Sequence, residues 1–139
     1  MKIKIVKVST KKPPKWILKA VKKNWGVEWE SPAIFTYGGL IRTSIGVIPE
    51  DYFIHETHHL KQQEEHGGTN KWWKKYLKDD KFRYEQELEC YRKQYQWLGK
   101  HVKNRATRFE LLKHYARSLS GDMYGNLVTF SKAINDIKS

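Results

Sequence analysis

Residues 55–59 of this chain read His-Glu-Thr-His-His. Two histidines four residues apart lie about 40° apart around a helix axis, on one face. Both imidazoles can then reach a single Zn²⁺ at about 2.0–2.1 Å. The glutamate after the first histidine sits about 100° round from it. From there it can take a proton from a water activated at the metal without displacing that water. His55 and His59 are the expected metal ligands and Glu56 the expected general base. His58 lies about 80° from the centre of this face and is expected to pack or hydrogen-bond behind it. His55 with His58 remains an alternative pair.

A catalytic zinc usually has three protein ligands and one open position, so a third donor is needed. The acidic run Glu85-Gln86-Glu87-Leu88-Glu89 is the obvious source. The apolar stripe of that segment centres near Tyr84, Leu88 and Tyr91. Glu87 lies about 60° from this centre, Glu85 about 100° and Glu89 about 140°. Glu87 is therefore the expected third ligand, with Glu85 and Glu89 as alternatives. The phase of Cys90 puts it off the inward face, as a structural thiol. His66 lies about three turns from His55, too far to share an ion. His101 and His114 have no motif around them. Amide hydrolysis also needs a donor for the developing oxyanion. Tyr84, Tyr91, Tyr124 and His114 are candidates, and Tyr124, in a loop-like setting, is preferred.

His55-Glu56-Thr57-His58-His59 with a downstream glutamate resembles the gluzincin metallopeptidases. The string through Leu60-Lys61-Gln62-Gln63 is similar to the H-E-x-x-H-x-x-Q form of small bacterial and phage-encoded zincin domains. Glu87-Leu88-Glu89-Cys90 matches the spacing of the E-x-x-A-like third-ligand motif, with Cys in place of Ala. The resemblance covers about residues 50–95. It implies a zincin-like fold, a bound Zn²⁺ and a peptide or protein substrate. A weaker likeness to phage-type members covers residues 119–137. Two departures stand out: Lys61 replaces a common apolar residue, and Tyr91 stands where several gluzincins carry an Asp that orients a ligand histidine.

The elements that must position these residues are legible from periodicity. Residues 2–8 mostly alternate Lys with Ile or Val, predicting a strand with one buried face. A short basic amphipathic helix covers Trp16, Ile17, Ala20 and Val21 and stops at Asn24 and Gly26. Candidate strands cover 33–37, 40–43 and 44–48, with Gly38-Gly39 as a turn. One of them could pair with an extended substrate. Pro49-Glu50-Asp51 opens a helix expected over 51–66, ending at Gly67-Gly68. A turn or two of helix covers 72–77. Longer helices are expected over 81–99, capped by Asp79-Asp80, and over 105–119. A last helix covers 130–137 behind Thr129. The expected fold class is α+β: a small N-terminal β-sheet with the active-site helix, then a mostly helical half. One domain spans 1–139.

The charge of +12 and the six tryptophans allow a second function, nucleic-acid binding, with Trp16, Trp25, Trp72 and Trp73 stacking bases between phosphate contacts. It is not favoured, because the lysines are spread out. A third reading is a catalytically silent zincin-type protein, for example in a phage particle. A single cysteine excludes an intrachain disulfide. No signal peptide and no stretch of about 20 apolar residues is visible. The cytoplasm, of the host cell for a phage-encoded chain, is the expected location, and no membrane partner is expected.

Overall fold

A computed structural model describes residues 3–139. Strand β1 (Ile5–Lys7) pairs antiparallel with β4 (Val47–Pro49), and β2 (Phe35–Tyr37) with β3 (Leu40–Arg42). The helices are α1 (Lys15–Trp25), α2 (Glu50–Glu65), α3 (Thr69–Lys78), α4 (Asp80–His101), α5 (Arg105–Leu119) and α6 (Phe130–Lys138). The class is α+β, with short strands first and helices after. The strands form two separate two-stranded ribbons, not one sheet, and touch through a bridge between Ser9 and Arg42. Residues 44–46, expected in a strand, form the turn before β4. The expected buried face of β1 is shallow. Ile5 is 65% exposed and Val6 half-buried, because β4 is its one strand partner.

Local chemistry accounts for most element ends. Gly38 and Gly39 both have left-handed φ, +57° and +79°, which a two-residue type I′ hairpin demands. Gly26 closes α1 at φ +67°, its N–H bonded to the Lys22 carbonyl and the following Val27 N–H to the Val21 carbonyl. Asp79, Asn104 and Thr129 each cap a helix by accepting from the backbone N–H three residues on.

The core is aromatic. Trp72 stacks on Tyr76 with centroids 4.6 Å apart, and Tyr91 on Tyr115 at 5.4 Å. Trp73 joins this core, so neither Trp72 nor Trp73 offers a face for stacking bases. Trp25 packs edge-on against Tyr76, under the Arg83 guanidinium. Ile17 and Val21 bury one face of α1, which makes it a packed surface helix. No helix is long and apolar enough to cross a membrane among the described residues.

Helices α2 and α4 lie side by side, and their shared seam is polar. Every buried residue of α2 is polar or charged: Asp51, His55, Glu56, His59, Gln62 and Gln63. On α4 the most inward line runs through Arg83, Glu87, Cys90 and Gln94. The expected centre near Tyr84, Leu88 and Tyr91 is thus displaced: Leu88 is only half-buried. Cys90, expected off the inward face, is fully buried against α2.

Replacing a capping side chain by alanine is expected to lower stability by about 1 kcal/mol. Asp79→Ala and Asn104→Ala test this as lower urea midpoints at unchanged slope, with Asp79→Asn near wild type. Unchanged midpoints in both alanine variants would show that the caps contribute nothing.

Candidate metal centre

His55 and His59 project from adjacent turns of α2 toward Glu87 on α4. His55 Nε2 lies 2.8 Å from Glu87 Oε1, and His59 Nε2 lies 3.1 Å from Oε2. All three side chains are buried. Tyr76, from α3, donates its hydroxyl to Glu87 Oε2 at 2.5 Å.

The other nitrogen of each ring fixes the tautomer. His55 Nδ1 lies 2.6 Å from Gln94 Oε1. The Gln94 amide cannot be turned over, because its Nε2 donates to Asp51 Oδ2 at 3.2 Å. His59 Nδ1 lies 2.8 Å from Gln62 Oε1, and Gln62 Nε2 donates to the Gln86 carbonyl and to Glu89. Both histidines therefore carry their proton on Nδ1 and give it to a glutamine oxygen. In a neutral ring the Nε2 is then a lone pair, and both lone pairs face the same carboxylate. With both rings neutral, three acceptors converge, and the Tyr76 hydroxyl on Glu87 Oε2 is the donor beside them. A cation between them satisfies all three, and a metal held by two Nε2 atoms and a carboxylate oxygen is an ordinary zinc donor set.

The electrostatics point the same way. Burial pushes the Glu87 carboxyl up, but His59 and His55 outweigh it and hold the group well below the usual carboxylate range. Burial also opposes charge on His59, yet its hydrogen-bonding contacts with Cys90 and Glu87, and the Glu87 charge, raise its pKa well above that of a free imidazole. The pocket favours positive charge beside Glu87, which a proton on His59 supplies and a bound metal would replace.

Cys90 supplies a rival donor. His55, His59 and Cys90 bring ligand atoms within 4.8 Å of one another. The thiol, however, contacts His59 at Nδ1, 3.4 Å away, on the side of the ring committed to Gln62. Burial pushes its pKa up to about 12, so it is no ready thiolate. Glu87 is the better third donor. Glu85 and Glu89 are exposed, and Glu89 bonds His58 at 3.0 Å and Gln62, behind the site. His66 bonds the Gln62 carbonyl, and His101 and His114 are exposed away from the centre.

The centre floors a cleft of about 290 Å³, whose walls include Val21, Val27, Ile34, Phe35, Trp73 and Met123. Glu56 lines it, with His55 Nε2 3.8 Å away. Burial raises the Glu56 pKa, against the pull of His55 and His59. Tyr124 enters the cleft from the 3₁₀ turn Asp122–Tyr124. Burial and then Glu87 and Glu56 keep its phenol protonated. Arg83 anchors that turn, donating to the Met123 carbonyl at 2.6 Å and the Tyr76 carbonyl at 2.6 Å, with Asp80 as ion partner. Gly125, at φ +81°, has room for no Cβ: one would meet Asp80 at 2.9 Å. Of the other candidates, Tyr91 lies edge-on against His55, Tyr84 bonds Asp136, and neither Tyr84 nor His114 lines the cleft.

The residues that hold His55, His59 and Glu87 in place were not evident in the sequence. Gln94 follows Glu87 by two helical turns, a spacing that could have marked it. Asp51, Tyr115 and Tyr76 come from three helices, and no spacing connects them. Tyr115 donates to Asp51, so a line of contacts runs from Tyr115 through Asp51 and Gln94 to His55. Compared with known proteins, the chain matches no described family, no curated protein and no solved structure.

Proposed function

We propose that this chain is a zinc-dependent hydrolase, a metallopeptidase of gluzincin type acting on peptide or protein. The observation that carries the reading is the pair of Nδ1–H imidazoles whose Nε2 atoms meet one carboxylate. His55, His59 and Glu87 would hold the ion. Zinc at such a site acidifies water and polarises a carbonyl.

The chain's own residues do the rest. Glu56 sits beside the ligands without taking their place, and burial raises its carboxyl above the ordinary range, the direction that suits a group that accepts and returns a proton. Tyr124 keeps its hydroxyl proton and faces the same space, so it serves as donor to the developing oxyanion. Tyr76 is engaged with Glu87 and holds the ligand instead. Gln94 and Gln62 set the ring orientations. An open cleft beside Glu56 favours a catalytic over a purely structural metal, because structural sites are closed. An extended substrate has less strand edge than the sequence suggests. The Thr36 carbonyl already accepts from Gln63 and Trp73, which leaves the stretch around Ile34.

Wild-type protein is expected to carry one zinc per chain by elemental analysis, lost in His55→Ala and Glu87→Ala but kept in Cys90→Ala. Equal zinc in all four would sink the proposed ligand set. Gln94→Ala should weaken zinc binding about 10–100-fold in chelator competition. Unaltered affinity would show that the amide does not hold the ligand.

Glu56→Gln should keep its zinc and lose peptidase activity about 10²–10⁴-fold on a casein or peptide-library substrate. Tyr124→Phe should lower kcat about 10²–10³-fold with little change in KM. Full zinc with no turnover by wild type on any peptide would favour the silent, structural reading.

A further inference from the structure

We propose that a groove at the junction of α4, α5 and α6 binds single-stranded nucleic acid, with phosphates on its cations and bases on its rings. The groove consists of two adjoining concavities, about 280 and 230 Å³, which share Tyr95, Arg108 and Lys138. It shares no lining residue with the metal cleft, and the proposal does not depend on the metal.

Its chemistry is one-sided. Arg105, Arg108, Phe109 and Leu112 lie three, four and seven residues apart, which places them on one face of α5. Arg105, Arg108 and Lys138 supply three cations; no Asp or Glu lines either concavity, and Ser139 with its terminal carboxylate lines the smaller one. Among the described residues none of the three has a carboxylate within 4.0 Å. Lys113 on α5 and Lys132 on α6, outside the groove, are paired with Glu110 at 2.8 Å and Asp136 at 2.9 Å. The acidic partners on these helices thus serve cations outside the groove and leave those inside it free.

The groove is also partly set in shape. Arg108 Nη1 donates to the Val102 carbonyl at 2.7 Å and the Lys103 carbonyl at 2.8 Å. This holds the guanidinium plane while Nε and Nη2 stay free for a phosphate, which such a fork meets in a bidentate way. Phe109, 52% exposed with the Lys113 ammonium over one ring face at 5.0 Å, and half-buried Tyr95 offer ring faces beside the cations. A free phosphate has no use for rings. Interleaved cations and aromatics suit a sugar-phosphate chain with unstacked bases, and a net charge of +12 draws a polyanion. Of the tryptophans that the less favoured nucleic-acid reading offered for stacking, Trp16, Trp25, Trp72 and Trp73, none lines this groove.

The test is fluorescence anisotropy of the full chain with a labelled oligothymidylate of about 12 nucleotides, across a salt series. Arg105→Gln/Lys138→Gln, both exposed sites, should weaken binding about tenfold and reduce the log–log salt slope by about 1.4, at about 0.7 for each phosphate no longer neutralised. Lys19→Gln/Lys23→Gln on α1 removes the same charge and should change affinity far less. Phe109→Ala should weaken binding several-fold without altering the salt slope. Equal losses in the two double variants, or no loss in Phe109→Ala, overturn the proposal. So does displacement of the oligonucleotide by equimolar inorganic phosphate, or binding to anionic phospholipid vesicles in preference to the oligonucleotide.

Discussion

The structure depends on a buried polar seam between α2 and α4. An unpaired polar group in a protein interior costs about 1–3 kcal/mol, so a helix that buries only polar side chains is tenable only if each finds a partner. Here they do. Gln63 anchors α2 to the Thr36 carbonyl and hydroxyl. Gln62 ties His59 to α4, and Asp51 receives both Gln94 and Tyr115. Among the described residues, Thr43 Oγ1 is the one fully buried side-chain oxygen or nitrogen without a hydrogen bond. The arrangement closes everywhere except where two Nε2 atoms and Glu87 meet, and there it calls for positive charge.

The aromatic shell makes that demand sharper. Trp72 and Tyr91 press edge-on against His59 and His55 and keep water from their flanks. Low local polarity strengthens each remaining hydrogen bond and penalises each missing one. Tyr76 and Tyr115 belong to this shell by their rings and to the polar network by their hydroxyls, which reach Glu87 and Asp51. Packing and the orientation of Glu87 and Asp51 are therefore carried by the same side chains. Arg83 extends the principle to the rim: its guanidinium lies over the Trp25 ring and bonds the turn that presents Tyr124.

The departure at Tyr91 has a counterpart elsewhere on α4. The orienting acceptor for His55 is the neutral Gln94 amide, with the Asp51 carboxylate one contact further back. An amide oxygen polarises an imidazole less than a carboxylate does, so the negative charge that supports the ring acts through an intermediary. The same pattern recurs at His59, where Gln62 is the acceptor and Glu89 stands behind it.

Local features of this fold were legible in the sequence. Helix ends follow from Gly26, Asp79 and Thr129, and the hairpin from Gly38-Gly39, because caps and tight turns are decided within a few residues. The facing of His55, Glu56 and His59 follows from their spacing on one helix, and Glu87 was legible because it lies near an apolar stripe. The remaining features were settled by how the elements meet. The inward face of α4 is set by a polar partner helix, so its apolar stripe misplaced Cys90 and overrated Leu88. Two ribbons form in place of one sheet because β1 pairs across the chain with β4. Tyr76, Asp51 and Tyr115 join the centre from different helices, and Trp72 and Trp73 turn inward instead of toward a ligand. Those choices depend on which surfaces meet, and a side chain's periodicity records its own helix but not the chemistry of the surface opposite.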